Sequence, residues 1–125
     1  MKRDMELMRK ILFAIEEQYE PGDGYLFGLK IDGYDMKMIA EHCDFLDQQG
    51  FVKTYKPQFG GDTIVAFFVG NITNRGFDYL ELIRSDDVWD KTKTEIEEKK
   101  LPKTIEWFAK IAGIFTGNVV KELNG

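Results

Sequence analysis

YDMKMIAEHCDFLDQQGFVKTYKPQFGGDTIVAFFVGNITNRG, residues 34–76, carries the pattern of a helix, a hairpin and a second helix. Met36, Ile39, Cys43 and Leu46 share one face of a helix by their spacing. Asp35 suits the N-cap, because a short carboxylate accepts from the first free backbone N–H groups. Gly50 stands where a left-handed residue ends a helix. Residues 51–56 and 63–69 then read as strands joined around Gly60-Gly61-Asp62. Thr73 suits the cap of a further helix over residues 74–84, with Phe77, Leu80 and Ile83 inward.

Helix, hairpin and helix in this order form the second half of a winged helix-turn-helix. Upstream, Met5, Met8, Ile11, Leu12, Ile15 and Tyr19 recur at helical spacing and predict a first helix over residues 3–19. Glu20-Pro21-Gly22-Asp23-Gly24 ends it, and residues 26–31 read as a small strand pairing with the hairpin. Downstream, Ser85-Asp86-Asp87 caps a helix over residues 87–99, anchored by Val88, Trp89, Thr92 and Ile96. Pro102 suits the first turn of a last helix. Its stripe is Ile105, Phe108, Ile111, Ala112, Phe115 and Val119, widened by Trp107 and Ile114. Gly113 and Gly117 cost that helix about 1 kcal/mol each relative to alanine. They serve close approach of another helix or break the segment near Thr116. The expectation is an α+β fold in one domain, residues 1–125. A winged-helix-like core with a small antiparallel sheet fills residues 1–84, and a helical C-terminal extension residues 85–125.

Composition narrows the functional classes. Hydrophobic residues at 43%, ten of them Phe, exclude disorder for most of the chain. A single cysteine, Cys43, excludes an intramolecular disulfide framework and suits a reducing, cytoplasmic setting. No apolar run approaches the roughly 18 residues of a membrane span, and the charged N-terminus is unlike a secretory signal. A net charge of −5 disfavours non-specific attraction to a polyanion.

The helix before the hairpin carries the main conflict. Asp35, Glu41, Asp44 and Asp47 stand against Lys37 alone, four acids to one base and so a net of −3. Helices that read DNA bring Lys and Arg to phosphate and Arg, Lys, Asn or Gln to base edges. The candidate nucleic-acid contacts are Lys30, Lys37, Lys53 and Lys56, with Lys2, Arg3, Arg9 and Lys10 as a basic N-terminal group. Residues 64–69 are apolar on both faces of their strand, whereas a strand with one wet face alternates. Something is therefore expected to cover the outer face, either the last helices or a partner. Met38, His42 and Phe45 add a second apolar stripe. Met38, Phe45, Phe67, Trp107 and Ile114 are the candidate interface.

Catalytic and metal signatures are not found. His42-Cys43 has no second His or Cys beside it, and neighbours on a helix point about 100 degrees apart. The pair reads as a core cysteine next to a surface histidine. Ser85 reads as a cap, and the glycines of GDGYLFG as turn formers. No catalytic residue, cofactor or metal is expected, and the chain is not expected to be an enzyme.

Five blocks carry a family resemblance: MKRDMELMRKIL, IDGY, IAEHCDFLDQQGFV, NITNRGFDYLELIR and VWDKTK. In that order they resemble the phage and Gram-positive bacterial family known as domain of unknown function 2513. The resemblance implies a winged-helix-like fold and carriage by prophages. It brings no established activity, so no functional residues carry over. Residues 39–76 are also similar to the dimeric bacterial winged-helix regulators, whose recognition helix precedes the wing. One departure stands out, because a helix-turn-helix needs a supporting helix ahead of the reading one. Here that space holds only PGDGYLFGLKIDG. Two functions are expected. The first is a cytoplasmic, prophage-derived module acting through a protein partner or self-association in an accessory regulatory role. The alternative is a dimeric DNA-binding transcriptional regulator.

Overall fold

A computed structural model describes residues 2–124, with side chains as far as Gly117. The described elements run α1 (Met5–Gln18), β1 (Leu26–Phe27), α2 (Met36–Gln48), β2 (Tyr55–Gly60), β3 (Thr63–Val69), α3 (Asn74–Ile83), α4 (Asp86–Glu98) and α5 (Ile105–Asn124). The class is the expected α+β, with a three-stranded antiparallel sheet ordered β1-β3-β2. The chain divides into two compact units, Met1–Phe77 and Asp78–Gly125. The division falls inside α3.

In the first unit Asp4 caps α1, its Oδ1 accepting from the Leu7 N–H at 3.0 Å. Of the expected stripe Met5, Met8, Ile11, Leu12 and Ile15 are buried, whereas Tyr19 lies past the helix as its extended C-cap and is half-buried. Asp35 caps α2 through the Met38 N–H at 2.8 Å. His42 is not at the surface but fully buried beside Cys43. Its Nε2 accepts from the Asp4 backbone N–H at 2.8 Å, and its Nδ1 faces the Met38 carbonyl at 2.8 Å. An amide can only donate, so the ring proton is assigned to Nδ1. Both nitrogens are paired, which is what makes burial of this polar ring tolerable. The histidine thereby ties the start of α1 to α2.

Two strands depart from the sequence reading. β1 is two residues long where six were expected, because Gly28 turns the chain away in a left-handed conformation with φ 68°. β2 starts at Tyr55, and Val52 makes only an isolated bridge to Ile72. No helix forms between Phe27 and Met36, so the supporting helix is absent.

α2 stops at a full Schellman motif. Gly50 has φ 74°, the Phe51 N–H donates to the Leu46 carbonyl, and the Gly50 N–H donates to that of Asp47. This corner is sewn to the start of α3. Thr73 Oγ1 donates to the Gly50 carbonyl at 2.5 Å and accepts from the Gly76 N–H at 3.0 Å. Arg75 Nε donates to the Gln49 carbonyl at 3.0 Å, its guanidinium over the Phe51 ring. Gly76 lies so close to the Phe51 carbonyl oxygen that a Cβ there would collide with it.

In the second unit, Ser85 caps α4 and Val88, Trp89, Thr92 and Ile96 are buried, as expected. Trp89 packs on Phe108 of α5, ring centroids 5.2 Å apart. α5 starts later than Pro102 suggested. Thr104 Oγ1 accepts from the Trp107 N–H at 3.2 Å and begins the helix, leaving the proline in the preceding turn. α5 runs unbroken past both glycines, and a Cβ at Gly113 or Gly117 would meet nothing within 4 Å. Neither expected role, close approach or a break, holds for them. Val119 of the expected stripe lies outside the described side chains.

Candidate interaction surface

Directly paired residues of an antiparallel sheet point to the same side, and side chains alternate along each strand. Leu26, Val69 and Tyr55 therefore share one face with Phe67 and Pro57. Phe67 and Val69 are fully buried there. Tyr55 is half-buried, and its hydroxyl is pushed up to about 12, first by burial and then by Asp44, Cys43 and Glu41. The acidic side of α2 thus neighbours this inner face.

The outer face is different. Phe27, Phe68 and Lys56 form one cross-strand row, with Ala66 and Gln58 in the next. Phe27 is 65% exposed, its ring 4.9 Å from Phe68. Tyr25, 42% exposed, meets Phe68 edge-on at 6.0 Å, and the Lys56 ammonium sits 5.4 Å from the Tyr25 ring centre. This explains why β3 is apolar on both sides. Phe68 is half-buried under two surface aromatics, and those aromatics are themselves left open to solvent. The free edge of the sheet is less available than its face. Of the two outer strands β1 is only two residues long, and β2 holds Pro57, which has no N–H to offer a further strand. A bulge follows at Gln58/Phe59, and Phe59 and Val65 are exposed beyond it near the hairpin tip.

The acids of α2 meet no base, but Glu41, Asp44 and Asp47 are half-buried, and Glu41 and Asp44 lie toward Tyr55 on the inner face. Asp35 is spent on its cap, Asp44 accepts from Gln48 Nε2 at 3.0 Å, and Asp47 is shifted upward by burial and then by Asp44. Among the described residues no Lys or Arg comes within ion-pair distance of Glu41, Asp44 or Asp47.

The four candidate lysines are all exposed but do not converge. Lys37 lies on the first turn of α2, and Lys30 lines a cleft of about 420 Å³ with Leu29, Ile31, Tyr34, Met36 and Ile39. Lys56 stands in the outer aromatic row. Lys53 lies beside Gly70, as does the Gly24 carbonyl, which places it at the Tyr25 end of the sheet. Arg9 is not available to phosphate: it is 8% exposed, with its guanidinium 4.8 Å over the Phe13 ring. Of the candidate interface residues, Phe67 is core and is withdrawn. Met38 and Phe45 are half-buried, Phe45 against the edge of the His42 ring. In the second unit Trp107 is half-buried beneath the Lys110 ammonium, and Ile114 is 53% exposed. The sequence reading missed Tyr25, Phe27 and Phe59. The signal for the first two was their alternation with Leu26 in a segment bounded by Gly24 and Gly28.

Among the described residues no three His, Cys, Asp or Glu side chains gather where they could hold a metal ion. The Cys43 thiol is buried and pushed far up by that burial, so it is not a thiolate nucleophile. No described helix is long and apolar enough to cross a membrane.

An uncharacterized protein of Haemophilus influenzae (strain Rd) is 28% identical over 112 residues, covering 90% of this chain and 92% of its own length. No solved structure matches the chain. The family described as "Hypothetical protein (DUF2513)" matches residues 2–102, a span that takes in α1 to α4 and the whole sheet. The chain belongs to the DUF2513 family.

Proposed function

We propose that this chain is a non-catalytic contact module on a winged-helix-like scaffold, acting in the cytoplasm in an accessory regulatory role, of the kind a prophage carries. Its working surface is the outer face of the sheet and not α2. One observation carries this: Phe27 is 65% exposed in a row with Phe68 and Lys56, with Tyr25 beside it. A ring left 65% exposed returns little burial to the fold, and aromatics are enriched at interface cores. Unneutralised acids on α2 argue against that helix entering a groove lined by phosphate.

The test is capture from host extract by the wild-type chain and by a Tyr25→Ser/Phe27→Ser variant, scored for protein and for nucleic acid. Capture lost in a variant that melts like wild type supports the reading. Equal capture by both removes it.

A second reading, the dimeric duplex-DNA regulator, is favoured by the exposure of Lys56 on the hairpin and of Lys53 just before it. Mobility shift of a duplex at two salt concentrations decides it. Duplex binding that weakens steeply with salt and is lost in Lys53→Gln/Lys56→Gln supports this second reading. Absence of a shift at low salt removes it.

A further inference from the structure

We infer that the outer face of the sheet takes a single-stranded nucleic acid, its bases stacked on the exposed Phe27 and Tyr25, which Phe68 supports from below, and its phosphates met by Lys56 and Lys53. The inference rests on the reading of this face as the contact surface, and it names the occupant. Three properties of the face point the same way. Its rings stand on adjacent strands of a sheet, where planar groups can lie on them one after another. Unpaired bases have open faces that stack on aromatic side chains, whereas a duplex hides them in its own stack. The charge is also right. Lys56 stands in the aromatic row and Lys53 at its Tyr25 end, and no carboxylate shares the row of Phe27, Phe68 and Lys56. Finally, the Gln58 side chain lies in the next row, exposed and without a hydrogen-bond partner among the described residues. Its amide offers both a donor and an acceptor to a base edge.

The acids of α2 do not oppose this placement. Asp44 and Glu41 act on Tyr55, which points to the inner face, so the sheet stands between them and the lysine side. A second copy of the chain fits the face less well. A twofold contact centred on the aromatic row would bring Lys56 near its own counterpart, with no acid in that row to receive it.

The experiment is fluorescence anisotropy of the full chain with labelled oligothymidylate and oligouridylate of about 12 nucleotides, against a duplex of the same length. Expected are single-strand dissociation constants in the micromolar range at low salt, with the duplex at least about tenfold weaker. Phe27→Ala, at an exposed position, is expected to melt like wild type and to bind about tenfold more weakly or worse. Lys56→Gln is expected to reduce the slope of log affinity against log salt by about 0.7. The stronger of the two oligonucleotides tells DNA from RNA. No binding at low salt, equal binding of single strand and duplex, or indifference to Phe27→Ala each overturns the inference. A polypeptide captured from host extract by wild type and lost in Phe27→Ala, with no oligonucleotide bound, discards the nucleic acid but keeps the contact face.

Discussion

The two compact units hold their chain in place by different means. In the first, the decisive contacts involve backbone: His42 takes the Asp4 N–H, Thr73 and Arg75 fasten the carbonyls of Gly50 and Gln49, and Gly76 sits against that of Phe51. In the second, two helices joined by a short turn rest on side chains, Trp89 on Phe108 with Val88, Ile96 and Ile111 around the core. A helical hairpin satisfies its backbone internally and needs only apolar fit. A small sheet wedged among helices leaves corners whose donors and acceptors need specific partners. The unit built from such corners is the one that leaves the aromatic face of Tyr25 and Phe27 open.

The largest effect is expected at Phe108. Phe108→Ala is expected to remove about 3–5 kcal/mol from the second unit, the usual cost of emptying a buried aromatic site. Both tryptophans, Trp89 and Trp107, lie in that unit, so fluorescence follows it directly. A denaturation midpoint that hardly moves would mean that the hairpin does not rest on its side chains. Next in size is Gly76→Ala, expected to cost the first unit roughly 3 kcal/mol, because the new methyl meets a carbonyl that the Schellman corner holds fixed. Far-UV circular dichroism should show the loss at denaturant concentrations where tryptophan fluorescence is still native. Coincident transitions in the variant would sink the division of labour between the units.

What could be read from the sequence follows the same line. The caps at Asp35 and Ser85, the stop at Gly50 and the buried stripes of α1 and α4 were legible, because each is set within a turn or two of helix. β3 was legible to its ends, since its turn and its apolar run agree. The start of β2 was not, because pairing with β3 fixes it, and pairing is a property of two segments. His42 failed for a similar reason. Its partner is the backbone of Asp4, thirty-eight residues away, and no local pattern announces an acceptor needed there. The working surface was half legible. An excess of apolar residues in the hairpin was plain, but placing it at Tyr25 and Phe27 required knowing that β1 lies alongside Phe68.

His42 itself offers the third test. His42→Leu keeps the volume roughly and removes the acceptor, leaving the part-buried Asp4 N–H without a partner. The expected cost is about 2 kcal/mol, within the usual range for an orphaned buried donor. Amide exchange should locate the loss at the first turn of α1. A variant as stable as wild type would show that the pairing is incidental to the first unit.

The smallest effect is the sharpest comparison, because the two units end a helix with the same motif and different residues. α4 closes as α2 does, the Leu101 N–H donating to the Ile96 carbonyl and the Lys100 N–H to that of Glu97. In α2 the left-handed position belongs to Gly50, but in α4 it belongs to Lys100, with φ 53°. A side chain in that conformation costs about 1–2 kcal/mol, through crowding of Cβ against the following carbonyl. Lys100→Gly relieves the crowding but frees the unfolded chain, which returns about 0.4–1 kcal/mol. The net expectation is a second unit more stable by roughly 0.5–1 kcal/mol, seen as a later tryptophan transition. Gly50→Ala should do the reverse to the first unit, since it puts a Cβ where none stood. Should Lys100→Gly prove destabilising, the lysine must contribute through its side chain. Its position past the end of α4 would then be held by electrostatics and not by backbone geometry alone.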